Sequence, residues 1–328
     1  MSLDEQTLIA IELADTDSLL RAVDGMAGRR AWGELTTLRT HLAAALERGR
    51  QLWGVDEHVR YRLALEAPAE IAVPVVVEGP ARFTLGPLSE VISQTKSFSE
   101  MDPYLRSPTD RTVIAHERAL RGDRFDGELD MGVFDIPLVT AWEPQYPVAT
   151  YHSDRADFPS PELVEGPPLK LPEDPERISD EPTEEALLAL VTPWTTMSNG
   201  VTDLAMVEGD AAAAIAALGV PRATGARVDL GAALAWMAWT AASGGAHGRR
   251  RGMAAGRFHA WSAMAALTGL DWPVDPSEMR EAADALEWWL WSDGSTTGWA
   301  LQIAICDPID GLAWAFSGAD ARTEGPDL

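Results

Sequence analysis

Cysteine is nearly missing from this chain of 328 residues, with Cys306 the single copy. One thiol can neither close an internal disulfide nor build a cysteine-based zinc site, so a reducing cytoplasm is the expected setting. Lysine is almost as rare: Lys96 and Lys170 stand against 24 arginines, a skew that fits the coding bias of a GC-rich bacterial genome. Long apolar runs are lacking too. Even LGAALAWMAWTAASGG falls short of the roughly 20 residues that cross a bilayer, so no membrane association is expected. The start, MSLDEQTLIA, is acidic and has no basic stretch ahead of an apolar one, unlike a secretory leader.

Positive charge is the next shortage. There are 26 bases against 51 acids, a net charge of −25, which disfavours direct contact with nucleic acid or anionic lipid. The acids are spread along the chain, densest over residues 154–185 with 11 acids and 3 bases. An even spread argues against a mimic of nucleic acid, which needs its carboxylates arrayed like a phosphate backbone. Familiar catalytic signatures are also absent: there is no phosphate loop, dinucleotide fingerprint or nucleophile elbow. HERAL, at His116, lacks the second histidine of a zincin helix. His41, His58, His116, His152 and His259 read as surface or packed side chains, and Cys306 as packing on an apolar strand. Neither a metal nor a cofactor is expected.

What is present is helical pattern, then mixed pattern. Trp32, Leu35, Leu38, Leu42 and Leu46 fall three or four apart and predict a helix with one buried stripe. DTDSLLRAVDGMAG, GVDEHVRYRLALEA and SPTDRTVIAHERALRGD predict further helices, while EIAVPVVVEG is ambiguous, its valines favouring a strand and Pro74 opposing a central one. Residues 135–152 predict a short extended hairpin or arm. Residues 154–185 hold seven prolines and read as an acidic connection that is scarcely helix or strand, pinned by Phe158, Leu163 and Leu169 or mobile. No internal repeat supports a solenoid.

Beyond the connection, residues 201–207 predict a strand, followed by a helix capped by Asp210. Apolar helices are expected near 229–242 and 250–267, and a third is announced by Asp275, Pro276 and Glu278. EMREAADALEWWLW reads as one helix with Met279, Ala282, Leu286 and Trp289 inward and Trp288 and Trp291 away. GWALQIAIC and GLAWAFSG form a hairpin around DPIDG. Trp299, Leu301, Ile303, Ile305, Leu312, Trp314 and Phe316 make its bulky face, with alanines and Cys306 on the other. The fold class is therefore mainly α with a small β component: a helical domain over 1–153, the 154–185 connection, an α+β domain with an antiparallel sheet over 186–320, and a tail from 321 to 328.

One stretch is out of keeping with the rest. GGAHGRRRGMAAGR, residues 244–257, crowds arginines into an acidic chain where a helix begins. Gly248, Gly252 and Gly256, four apart, would form a bare stripe on that helix, with Arg249, Arg250 and Arg251 in its first turn. A helix start already carries partial positive charge, so three arginines there call for a negative partner. That partner is either a phosphate or carboxylate ligand, held by His247, Gly248, Arg249, Arg250, Arg251 and Arg257, or the protein's own carboxylates. Nine of 13 tryptophans lie between 236 and 314, as a two-sided core or as a wall for a ligand or partner. The functional expectation is a binding or interaction protein with a protein partner or a small anionic ligand. The alternative is an enzyme acting on a phosphorylated or carboxylated small molecule, and a nucleic-acid mimic is a third reading.

Overall fold

In a computed structural model the described residues are 3–76, 83–125, 133–295 and 298–321. They form a mostly helical N-terminal region followed by a six-stranded antiparallel sheet flanked by helices. The chain divides into two compact units, one of Met1–Val133 with Ala149–Phe158, the other of Phe134–Val148 with Pro159–Leu328. The chain thus passes between units three times. Within residues 134–148, Phe134 and Ile136 are buried, and Glu143 and Tyr146 make buried polar contacts described below.

The first unit holds α1 (Glu5–Leu13), α2 (Thr16–Gly28), α3 (Trp32–Glu47), α4 (Trp53–Glu66), α5 (Ala69–Val76), α6 (Leu88–Thr95), α7 (Phe98–Met101) and α8 (Pro108–Leu120). The stripe on α3 is as the spacing predicts: Leu35, Leu38 and Leu42 are fully buried. The ambiguous EIAVPVVVEG is helical as far as Val76, and residues 77–79 lie outside the described residues. Burial of Ala72, Val73 and Val75 outweighs valine's modest strand preference. Buried Arg60 donates to the Val75 carbonyl at 3.0 and 3.2 Å, satisfying an acceptor left over at the helix end. One of the two lysines does similar work. Buried Lys96 donates to the carbonyls of Ala64 (2.9 Å) and Leu65 (3.4 Å) at the end of α4, and burial pulls its pKa down to about 8.

The extended pairing expected within 135–152 lies further along, between β1 (Thr150–Tyr151) and β2 (Ala156–Asp157). The two prolines and Trp-Glu pair before it leave residues 138–149 irregular.

The second unit holds β3 (Arg177–Ile178), α9 (Glu181–Ala189), α10 (Thr192–Met197), β4 (Val201–Glu208), α11 (Ala211–Ala217), β5 (Thr224–Val228), α12 (Leu230–Ala242), α13 (Met253–Thr268), α14 (Pro276–Ala285), β6 (Glu287–Ser292), β7 (Trp299–Asp307) and β8 (Leu312–Asp320). The strand order is β3-β4-β8-β7-β6-β5, antiparallel throughout. The carboxylates of Asp210, Asp229 and Asp275 each accept a backbone N–H in the first turn of α11, α12 and α14. The β7–β8 hairpin has the expected register, with Ile303 opposite Phe316 and Ile305 opposite Trp314. Its alanine face packs on α11, where Ala211, Ala214 and Ile215 meet Ala304, Ala313 and Ala315. Small side chains let the helix approach closely there.

Two expectations need correction. The connection is not wholly irregular: β3 joins the sheet, α9 begins at Glu181, and Leu169 N–H bonds the Ala223 carbonyl at 2.8 Å. Leu169 packs against the core, whereas Leu163 is 78% exposed and pins nothing. The second correction concerns EMREAADALEWWLW. Its helix stops at Ala285, Leu286 is extended (ψ 153°), and residues 287–292 form β6. Trp288 and Trp291 are both buried, so the helical stripe assigned to Leu286 and Trp289 does not exist. Residues 322–328 of the expected tail lie outside the described residues.

Candidate functional site

The arginine-rich stretch does not open a helix with its arginines. Gly252, at φ 95°, precedes α13, which starts at Met253, so Arg249, Arg250 and Arg251 lie in the connecting loop. The Arg251 N–H bonds back to the Ala242 carbonyl at 2.8 Å and closes that loop. Gly248 therefore belongs to the turn, and only Gly256 of the anticipated stripe lies on the helix. A Cβ there would run into the Ala238 carbonyl and the backbone of Ala242 on α12. Close helix crossing is what Gly256 provides.

The loop glycines have a structural use as well. Asp320, buried at the end of β8, accepts the Ala246 N–H at 2.6 Å. A Cβ on Gly245, whose φ is 69°, would strike that carboxylate and the Trp194 ring. Cβ atoms on Gly244 and Gly248 would strike each other's backbone. The turn is thus seated on Asp320 and Trp194, and the His247 N–H is tied to Ser198 Oγ at 3.1 Å.

The six predicted site residues do not converge. His247 and Arg249 are exposed, while Gly248, Arg250 and Arg251 are half-buried. Arg251 Nη1 donates to the Ala189 carbonyl at 3.2 Å, and burial lowers its pKa. Burial, aided by the Arg251 charge, also drives His259 down to about 4. A histidine neutral in the folded chain and near 6.5 when unfolded takes up its proton on unfolding, so its contribution is present above pH 6.5 and is lost as pH falls towards 4. The melting temperature is expected to fall across that window. His259→Gln is expected to flatten the fall, and identical pH profiles for the two proteins would show that His259 stays hydrated.

Arg257 is committed elsewhere. Its guanidinium is fully buried and grips Glu143 with two bonds, Nε to Oε2 at 2.5 Å and Nη2 to Oε1 at 2.6 Å. Its Nη1 donates to the Pro137 carbonyl at 2.7 Å. Glu143 also accepts from the Thr140 N–H and hydroxyl, from the Tyr146 hydroxyl at 2.6 Å and from Trp261 Nε1 at 3.2 Å. Burial alone would raise the Glu143 carboxyl, but the bonds and charge of Arg257 outweigh it and hold the group below its ordinary range. Burial and the adjacent carboxylate push Tyr146 well up. Arg257 is therefore half of an internal ion pair, and the Glu143 half gave no signal in sequence.

Tyr146 links that cluster to a cleft of about 780 Å³ in the second unit. Its aromatic wall is Trp142, Tyr146 and Trp236, and Pro144, Pro147, Pro159 and Pro161 add to the lining. The polar atoms of the rings are engaged within the fold or buried: the Tyr146 hydroxyl by Glu143, Trp236 Nε1 by the Glu162 carbonyl at 3.2 Å, and Trp142 Nε1 buried. Tyr146 and Trp236 are buried and Trp142 is half-buried, so only part of their carbon surface is open to the cleft. Its charges are Glu162, Asp229, Asp284 and Arg280, with Arg280 Nε 3.3 Å from Asp284. No group of three or more metal-ligating side chains occurs among the described residues, and no helix among them is long and apolar enough to cross a membrane.

Fold and cleft together define a helix-rich protein whose second unit is an α+β layer with an open, aromatic-walled hollow. The chain belongs to the family described as a family of unknown function (DUF6183), whose model matches residues 17–308. No curated protein and no solved structure matches it.

Proposed function

We propose that this is a binding protein and that its ligand is a small molecule seated in the cleft of the second unit. The observation that carries the reading is a cleft of about 780 Å³ with a wall fixed from behind by the Glu143–Arg257 pair. That volume falls within the range of small-molecule sites, roughly 300–1,000 Å³. Prolines with fixed φ, and the Tyr146 and Trp236 rings tied through their polar atoms, lose little freedom when a ligand arrives, which favours affinity.

The test is a thermal-shift screen of the full chain against amines, amino acids, carboxylic acids and nucleosides. A ligand at 100 times its Kd adds about 2.7 kcal/mol, a readily measured rise in melting temperature. At least one compound class should raise it, and Ala232→Trp, which places a ring in the cleft, should abolish the rise. A screen with no shift, or a shift that survives Ala232→Trp, refutes the reading.

Anion recognition by the 247–251 loop is a second reading, favoured by two observations: Arg251 is half-buried against a carbonyl, and Arg249 forms no ion pair among the described residues. Sulfate titration should then protect the loop from hydrogen exchange, with Arg249→Ala and Arg251→Ala removing the effect. The enzymatic variant, in which His247 moves a proton on a phosphorylated or carboxylated substrate, requires Arg250→Ala and Arg251→Ala to lose turnover while still folding.

A further inference from the structure

The charge on the cleft selects among ligand classes. Three carboxylates and one guanidinium line it, a formal balance of −2 at neutral pH. Arg280 is 3.3 Å from Asp284, so these two largely cancel. Asp229 caps α12, its carboxylate accepting the Ala232 N–H at 2.7 Å, and Gly231 and Ala232 of that helix start also line the cleft. The place where a helix start would hold a ligand's anion is therefore already taken by the protein's own carboxylate. Glu162 forms no ion pair among the described residues and is exposed, so with Asp229 it carries the formal −2 of the cleft. Behind these acids stand three aromatic rings: Trp142 is half-buried, and Tyr146 and Trp236 are buried and bonded through their hydroxyl and N–H.

Resting on the small-molecule reading above, we infer that the cleft takes an organic cation, an ammonium or quaternary ammonium group on a small apolar body. Aromatic carbon attracts a cation through the negative face of the ring, and nearby carboxylates add to the attraction without demanding directional hydrogen bonds. A carboxylate or phosphate ligand would meet Glu162 and Asp229 and find its only base already paired. The chain's net charge of −25 works in the same sense, raising the local concentration of cations.

Three nearly isosteric probes test this on the full chain: choline, neutral 3,3-dimethylbutan-1-ol and anionic 3,3-dimethylbutanoate, titrated calorimetrically at low salt. Choline should bind at least about tenfold more tightly than the alcohol, a difference near 1.4 kcal/mol, and the carboxylate more weakly than either. Glu162→Gln should weaken choline about threefold and leave the alcohol unchanged. Because Glu162 is exposed, this variant remains informative even where Ala232→Trp fails to fold. If the alcohol or the carboxylate binds as tightly as choline and Ala232→Trp abolishes that binding, the cation assignment is overturned and the small-molecule reading survives. If none of the three binds and the thermal-shift screen is also silent, both fall. If none binds while the screen finds a cleft-dependent ligand that is not a cation, the cation assignment alone falls.

Discussion

Glu143→Gln is expected to lower the stability of the second unit by about 3–5 kcal/mol, the usual cost of removing one partner from a buried ion pair. The amide keeps the shape of the carboxylate and loses its charge, so Arg257, with no exposed side-chain surface, loses the charge its Nε and Nη2 grip. Guanidinium chloride unfolding followed by tryptophan fluorescence reads the loss directly, since nine of 13 tryptophans lie between 236 and 314. Joining Arg257→Met to Glu143→Gln should recover part of it, because the pair is then removed together. Recovery should stay incomplete. Thr140, Tyr146 and Trp261 also donate to Glu143, and each buried donor left poorly matched costs about 1–3 kcal/mol. A loss below about 1 kcal/mol for Glu143→Gln would mean that water reaches Arg257 and the cluster is not sealed.

Gly256→Ala sets two effects against each other. Alanine is favoured over glycine inside a helix by about 1 kcal/mol, so propensity predicts a more stable protein. Packing predicts the reverse, because the new Cβ would collide with the Ala238 carbonyl and come within 2.7 Å of the Ala242 Cβ. Backbone atoms cannot rotate away, so α12 and α13 must separate, and overpacking of this kind typically costs 1–3 kcal/mol or more. The net expectation is destabilisation by about 1–2 kcal/mol, with Gly256→Val worse. Chemical denaturation of the two variants decides it, and an alanine variant more stable than the parent would mean that the helices do not cross closely at this residue.

Local signals carried far in this chain, and signals across distance did not. Asp210 and Asp275 announce their helices because a cap and the amide it satisfies lie within a few residues of each other. The β7–β8 hairpin is legible because alternation and a Pro- and Gly-bearing turn sit in one window. EWWLW reads as helix yet forms a strand for a physical reason: a short apolar run fits either equally by period, and neither Gly nor Pro marks the break at Leu286. The arginine stretch shows the limit most clearly. Three adjacent arginines are conspicuous, but the group that organises their loop is Asp320, which lies 74 positions from Ala246. Arg257 was singled out for a ligand, while its partner Glu143 sits 114 positions away in a segment with no periodicity. The cleft was hidden for the same reason, its wall being drawn from residues 142–147, 159–164, 229–236 and 280–284. Only the density of proline and the presence of Trp236 hinted at it.

The excursion of residues 134–148 into the second unit, before the chain returns to the first, bears on how this protein can be dissected. A fragment begun after residue 158 would carry the whole sheet but leave behind Glu143 and Pro137, to which the Arg257 guanidinium is bonded. Neither half can be liberated by one cut. Genetic separation would need the short strip bearing Glu143 to be grafted back, so a deletion series made by trimming from the amino end should lose the sheet-bearing half abruptly, once residues 137–146 are gone.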